Sequence, residues 1–245
     1  DDSSAFRLSK EVPLVIPEIN SEDLLDHKGI VSIPNCSTTP LAMVLACLTQ
    51  LSRPLRVITD TYQSVSGTGS AAVSELLNQS RSVSEGKEIL KDVYPHQIAF
   101  NLFPHIDDLQ SNGYTKEEMK MVLETKKILH RPDLEISATC VRVPVIVSHS
   151  QSVHIEFENE VKVDDAIDQL NNFPGIKILD DLNNNIYPTP IDAAGKNDVF
   201  VGRVRSDNYR SNILVLWVVT DNLRKGAALN ALQISDSMIE MKLVV

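Results

Sequence analysis

The chain has 245 residues, 42% of them hydrophobic and 23% charged, and a formal net charge of −10. That length holds one large domain or two small ones. The acidic balance argues against a nucleic-acid partner, which needs clustered Lys and Arg, and no run approaches the ~20 apolar residues of a membrane span.

In chain order, residues 12–17 (VPLVIP) and 29–33 (GIVSI) read as short strands. A helix follows Pro34-Asn-Cys-Ser-Thr-Thr39, with Leu41, Val44, Leu45, Leu48 and Leu51 at helical spacing and Pro40 in its first turn. Residues 55–60 form a strand and 70–80 a helix through Val73, Leu76 and Leu77. Residues 82–114 are loop-rich, punctuated by Pro95, Pro104 and Asn112-Gly113. Thr115-Lys-Glu-Glu118 is a capping box that starts a helix running to about Leu129.

Residues 134–158 hold β-like runs that break near Pro144 and Ser148–Ser152. A short helix at Asp164–Asn171 and a short strand at Gly175–Leu179 follow, then a polar surface excursion over 180–197. Val199–Arg205 and Ile213–Val219 are strands, and Asn222 to about Lys242 closes the chain as a helix. Interleaved strands and helices imply an α/β or α+β fold.

The three cysteines are Cys36, Cys47 and Cys140. An odd count, without CxxC and without histidine at ligand spacing, points away from a disulfide framework and a zinc site and toward a reducing compartment such as the cytoplasm. Cys36 stands at a helix N-terminus, where N–H groups and the positive dipole end favour a thiolate or an oxyanion. By position alone the reading as a small buried hydrophobe is the favoured one. His149 lies where a β run breaks and is a candidate acid/base partner. Arg142, inside an apolar strand, needs a carboxylate or an anionic ligand. Seven positions separate Arg142 from His149, so both reach one pocket only if the chain bends between them. Glu124 and Lys127 share a helix face, which read alone is an exposed ion pair.

Taken together, SSAFR (3–7), VPLVIPEIN (12–20), PNCSTT (34–39), TYQSVSGTG (61–69), AFNLFPHID (99–107), GYTKEEMKMVLETKKIL (113–129), ATCVRVPVIVSHSQSV (138–153), VGRVR (201–205) and DNLRKGAALNALQI (221–234) resemble the aspartate-semialdehyde dehydrogenase family, in order and over nearly the whole chain. The resemblance implies a fold like that of glyceraldehyde-3-phosphate dehydrogenase. Residues 1–35 would be the end of an NADP-binding domain, 36–220 a catalytic and dimerisation domain, and 221–245 a helix returning to the first domain. It implies NADPH-dependent conversion of L-aspartyl-4-phosphate to L-aspartate 4-semialdehyde and phosphate, on the route to lysine, threonine and methionine. A homodimer or homotetramer is expected, in the cytoplasm, or in a plastid if the source is a plant.

By the same resemblance Cys36 is the nucleophile and His149 the acid/base. Arg142 binds the substrate α-carboxylate, Gln63 positions the substrate, and Glu124 meets its amino group. Lys127 with Asn35 holds the phosphate. Asn222, Ser66 and Gly67 border the nicotinamide, and no metal is implied. The family's glycine-rich nucleotide fingerprint and an arginine that assists with phosphate are both expected upstream of Asp1. On that reading residues 1–245 are a truncated chain that alone binds NADPH poorly and turns over little. The rival readings are an N-acetylglutamyl-phosphate reductase, a non-catalytic dimerising homologue, and a cysteine hydrolase.

Overall fold

The computed structural model describes residues 1–243. Its centre is a six-stranded mixed sheet of β1 (Pro54–Gln63), β2 (Glu135–Arg142), β3 (His149–Phe157), β4 (Ile176–Ile178), β5 (Val199–Ser206) and β6 (Ile213–Thr220), in the order β2-β1-β3-β6-β5-β4. β1 and β2 are parallel, as are β4 and β5; the remaining pairs are antiparallel. The mixed α/β architecture is the one expected from the sequence.

Helices α2 (Thr38–Leu48), α4 (Lys116–Ile128) and α5 (Val163–Asn172) cover one face of this sheet. Alternate strand residues point into that layer: Val57 on β1, Ala138 and Cys140 on β2, Val153 and Ile155 on β3, Leu216 and Val218 on β6. All but one residue of α2 is buried. Such a helix is a core element rather than an amphipathic surface one. Leu51, expected on it, lies beyond its end and is exposed. The capping box forms as read: Glu118 N–H donates to Thr115 Oγ1 (3.3 Å) and Thr115 N–H to Glu118 Oε2 (2.7 Å). The other Glu118 oxygen accepts from the Cys140 N–H at 3.1 Å, tying α4 to β2.

The opposite sheet face carries Ile58 and Tyr62, both exposed, and Trp217. Tyr62 and Trp217 have ring centroids 5.4 Å apart. The 180–197 excursion folds over one side of this face, where Trp217 Nε1 donates to the Pro188 carbonyl at 3.1 Å. There α6 (Pro190–Ala193) contributes Ala193 to a cluster with Phe200 and Val219.

Two of the expected strands do not form. Residues 12–17 and 29–33 meet at a single parallel bridge, Leu14 to Ser32. Pro13 and Pro17 lack the N–H groups that a ladder needs, and Pro17 opens α1 (Pro17–Asn20) instead. The final helix also differs from expectation. It starts with a π turn at Arg224–Ala228 before α7 (Leu229–Glu240). Val15, Leu24 and Ile33 pack against Ile234, joining the N-terminal segment to α7.

The break between β2 and β3 settles the parity problem. Arg142 and His149 lie on two different strands, and β1 runs between them. Gln63 pairs with Arg142, and Tyr62 with Ser150. Ser148 enters β3 with φ of 76°, a left-handed conformation uncommon for serine. Gln63, Arg142 and His149 therefore share one end and one face of the sheet.

The loop-rich stretch is fixed from α3 (Ser70–Glu85), which outruns the expected 70–80 and ends at Gly86 (φ 65°). Glu75 accepts from the Asp92 and Val93 N–H groups, and Gln79 from those of Ile98 and Ala99. Among the described residues no helix is long and apolar enough to cross a membrane.

Candidate active site

A cavity of about 860 Å³ opens at that end of the sheet, lined by Cys36, His149, Arg142, Gln63, Asn35, Ser66, Gly67 and Asn222, among others. Eight of the ten expected site residues therefore meet in one place. Asn35 is consumed in building the nucleophile turn. Its Oδ1 accepts from the Ser37 N–H (2.9 Å), its carbonyl from the Thr39 N–H (3.1 Å), and its Nδ2 donates to Glu117 (2.9 Å). This bond pattern sets Cys36 just ahead of α2. Cys36 is half-buried. Burial, then Glu117, pushes its thiol up to about 12, against the pull of Arg142 and Arg7. Cys47 and Cys140 lie in the core, Cys140 with its Sγ 3.7 Å from Met121 Sδ.

His149 is held in one tautomer. Its Nδ1 accepts from the Ser64 backbone N–H at 3.0 Å, and a peptide N–H can only donate. The neutral ring therefore carries its proton on Nε2. Burial, followed by the Arg142 charge, lowers its pKa to about 3, so it is neutral at physiological pH. Gly67 lies against the Cε1–Nε2 side of the ring. A Cβ there would fall 3.2 Å from His149 Nε2 and 3.3 Å from Arg142 Nη1. Arg142 is nearly buried, and its Nη1 donates to the Ser64 carbonyl at 2.6 Å.

Asn222 locks these parts together. Its Oδ1 accepts from the Ser148 N–H (2.9 Å) and the Ser64 and Ser66 hydroxyls, and its Nδ2 donates to Ser66. Gln63 Nε2 donates to Ser37 Oγ and to Glu117, while its buried Oε1 has no protein partner among the described residues. An unpartnered buried acceptor of this kind is uncommon in a folded protein.

Glu124 and Lys127 are the two expected residues that the cavity does not contain. Glu124 is buried between Arg7 Nη1 (3.2 Å) and the Asn35 N–H (2.7 Å). Lys127 Nζ donates to the carbonyls of Arg7, Ser9 and Val12 at 2.7–2.9 Å. Both side chains fasten the N-terminal segment to α4. The cavity holds Glu117 and Lys120 instead, seven positions earlier on the same helix face.

Glu117 accepts from Asn35, Gln63 and Lys120, and Lys120 also reaches Asp107 at 2.7 Å. Burial opposes ionisation of Glu117, but Lys120 and the two amides outweigh it and hold the carboxyl below its usual range. The Glu-x-x-Lys spacing occurs at both places on α4, and spacing alone does not choose between them.

A second correction concerns the arginine expected upstream. Arg7 itself lines the cavity. Its Nη groups bond Glu124 and the Asp2 carbonyl, while its buried Nε has no protein partner among the described residues. The local signal was present in SSAFR, and nothing in that string gives its distance from Cys36.

Residues 45–225 match the family described as semialdehyde dehydrogenase, dimerisation domain. The aspartate-semialdehyde dehydrogenase of Bacillus subtilis is 48% identical over 252 residues, covering 100% of this chain and 73% of that protein. The Aquifex aeolicus protein of that name is 47% identical over 247 residues, with the same coverage. Among solved structures, aspartate semialdehyde dehydrogenase II of Vibrio cholerae aligns with a TM-score of 0.95 at 41% identity, over 98% of this chain and 72% of that one. The same V. cholerae enzyme complexed with ASA aligns equally well, at 40% identity. The chain belongs to the aspartate-semialdehyde dehydrogenase family of oxidoreductases.

Proposed function

We propose that the chain carries the catalytic machinery for NADPH-dependent reduction of L-aspartyl-4-phosphate to L-aspartate 4-semialdehyde, with release of phosphate. The observation that carries this reading is a thiol, a Nε2–H imidazole and a guanidinium sharing one cavity with a carboxylate and two further cations. Arg142 takes the α-carboxylate with the part of its fork not bonded to Ser64, and Glu117 takes the α-ammonium. Lys120 and Arg7 take the phosphate in place of Lys127. Glu124 and Lys127 hold that end of the site in shape.

With its ends fixed, the substrate presents the acyl carbon to Cys36. Sulfur forms a bond to that carbon as the carbon–oxygen bond to phosphate breaks, giving a thioester. Lys120 and Arg7 balance the charge of the departing phosphate. His149 Nε2–H donates to the acyl oxygen as it gains charge, first on thioester formation and again as the hydride arrives, and that oxygen re-forms the carbonyl as the carbon–sulfur bond breaks. The ring's low pKa suits a neutral donor. The thiol proton leaves to solvent before attack: with the pull of Arg142 and Arg7 already counted the thiol is still pushed up to about 12, so the attacking thiolate is the minor form.

The cofactor residues fit a flat ring: Gly67 offers no side chain beside His149, and Ser66 and Asn222 form the adjoining rim. Asn222 spends its Oδ1 and one N–H on the turn, which leaves one amide N–H for a carboxamide. NADPH, when bound there, supplies the hydride. Dimerisation through the open sheet face, with Ile58, Tyr62, Trp217 and neighbours on 136–147, completes the proposal, as does the division into residues 1–35, 36–220 and 221–245.

The test is the reverse reaction. NADPH formation from L-aspartate 4-semialdehyde and NADP should require inorganic phosphate, and Cys36→Ser should abolish it. Phosphate-independent turnover, or activity in Cys36→Ser, would refute the mechanism.

A further inference from the structure

The contact of the C-terminal π turn with the nucleophile has no part in the mechanism above. Gly226 packs on Cys36 from 190 residues away in the chain. A Cβ at Gly226 would meet Cys36 Cβ at 2.9 Å, Cα at 3.1 Å and the carbonyl oxygen at 3.2 Å. Two of those atoms are backbone, so no rotamer of Cys36 relieves the contact. Gly226 lies in the helical turn 224–228 and needs no left-handed backbone. Its lack of a side chain is therefore a matter of close approach, not of conformational freedom.

The turn is built to bring it there. Its widened hydrogen bonds, Gly226 N–H to the Asp221 carbonyl (3.4 Å) and Ala228 N–H to the Leu223 carbonyl (3.2 Å), span five residues. Inserted turns of this kind gather at functional sites. Asp221 Oδ1 fixes the entry by accepting from the Leu223 and Arg224 N–H groups at 2.9 and 3.2 Å.

Lys225, the adjacent residue, is almost completely buried. Its Nζ donates to both Glu18 oxygens (2.9 and 2.7 Å), to Asn230 Oδ1 (3.1 Å) and to Gln233 Oε1 (2.7 Å). Gln233 also donates to Glu18, and Asn230 to the Val15 carbonyl. A buried ion pair with every acceptor engaged fixes geometry more than it adds stability. Here it fixes the residue beside Gly226 to α1 and α7 at once.

We propose that Gly226 is a positioning residue for the Cys36 nucleophile, held against it by the buried Lys225–Glu18 pair. Through this contact, the seat of the C-terminal helix on the N-terminal segment sets where the sulfur stands in the cavity. The inference rests on Cys36 being the nucleophile, which Cys36→Ser tests separately.

The experiment compares Gly226→Ala, Ala228→Gly and Glu18→Gln in the protein as encoded. Alkylation of Cys36 by iodoacetamide is followed by peptide mass, alongside kcat and KM for aspartate semialdehyde. Gly226→Ala should slow alkylation at least about fivefold and lower kcat on the order of 10²-fold, with KM within about threefold, because a displacement near 1 Å is enough. Glu18→Gln should shift alkylation in the same direction by less, and it is the deciding variant if Gly226→Ala does not fold. Ala228→Gly loosens the same turn without touching Cys36 and should leave alkylation and kcat native. Native alkylation in folded Gly226→Ala, or in Glu18→Gln where that variant decides, overturns the proposal. So does an equal loss in Ala228→Gly.

Discussion

Two Glu-x-x-Lys pairs lie on one face of α4, two turns or about 10 Å apart, and their environments are opposite. At the first, burial pushes Glu117 up but Lys120 and two amides overcome it, and Lys120 is raised in turn by Glu117 and Asp107 despite its own burial. At the second, burial wins on both sides: Glu124 is pushed up in spite of Arg7, and Lys127 is pushed down in spite of Asp23 and Glu124. The first pair keeps fixed charge at a cavity wall. The second spends its polar atoms on peptide groups, on the Asn35 N–H at one end and three carbonyls at the other. On the proposed reading, the same residue types at the same spacing serve recognition at one place and architecture two turns on. What separates them is whether the neighbouring groups are side chains at the cavity or backbone.

That contrast breaks first in kinetics. Glu117→Gln should lower kcat/KM on the order of 10²-fold in assays of the folded protein, because a charged partner of the substrate ammonium becomes neutral. Glu124→Gln should stay within a few-fold in steady-state assays of the folded protein. Equal losses at the two positions would erase the distinction.

Stability should show the converse. Lys127→Met strands three carbonyls and should cost about 2 kcal/mol in urea unfolding, with kcat/KM of the folded protein nearly unchanged. A loss of activity larger than the loss of stability would move Lys127 into the site.

A further effect concerns pH. His149 is depressed from 6.5 to about 3 by burial and Arg142. The unfolded chain therefore binds this proton where the native one does not. The resulting loss of stability is absent above the unfolded pKa of 6.5 and grows as pH falls toward about 3, at up to about 1.4 kcal/mol per pH unit. His149→Gln should remove that slope from the difference between the two unfolding curves. Parallel curves from pH 7 to 4 would mean that the imidazole is not buried neutral.

Much of this is legible in the sequence. The Thr115–Glu118 box, the apolar strands and the Asn35-Cys36-Ser37 turn are local patterns, and local hydrogen bonding realises them. The mixed sheet is not local: β1 separates β2 from β3, and only that insertion lets Arg142 and His149 face one cavity across an odd spacing. The strands expected at 12–17 and 29–33 failed for a local reason, since Pro13 and Pro17 withhold ladder donors. Arg7, Glu117 and Lys120 stayed hidden because each is an ordinary charged residue until the N-terminal segment folds onto α4. Gly226 was hidden more deeply, since its role depends on a neighbour 190 residues distant.

The most direct measurement is kcat/KM for inorganic phosphate in aspartate-semialdehyde oxidation, for Lys120→Met beside Lys127→Met. The account predicts a fall on the order of 10²-fold for Lys120→Met and a change within about threefold for Lys127→Met. The reverse ranking would contradict it.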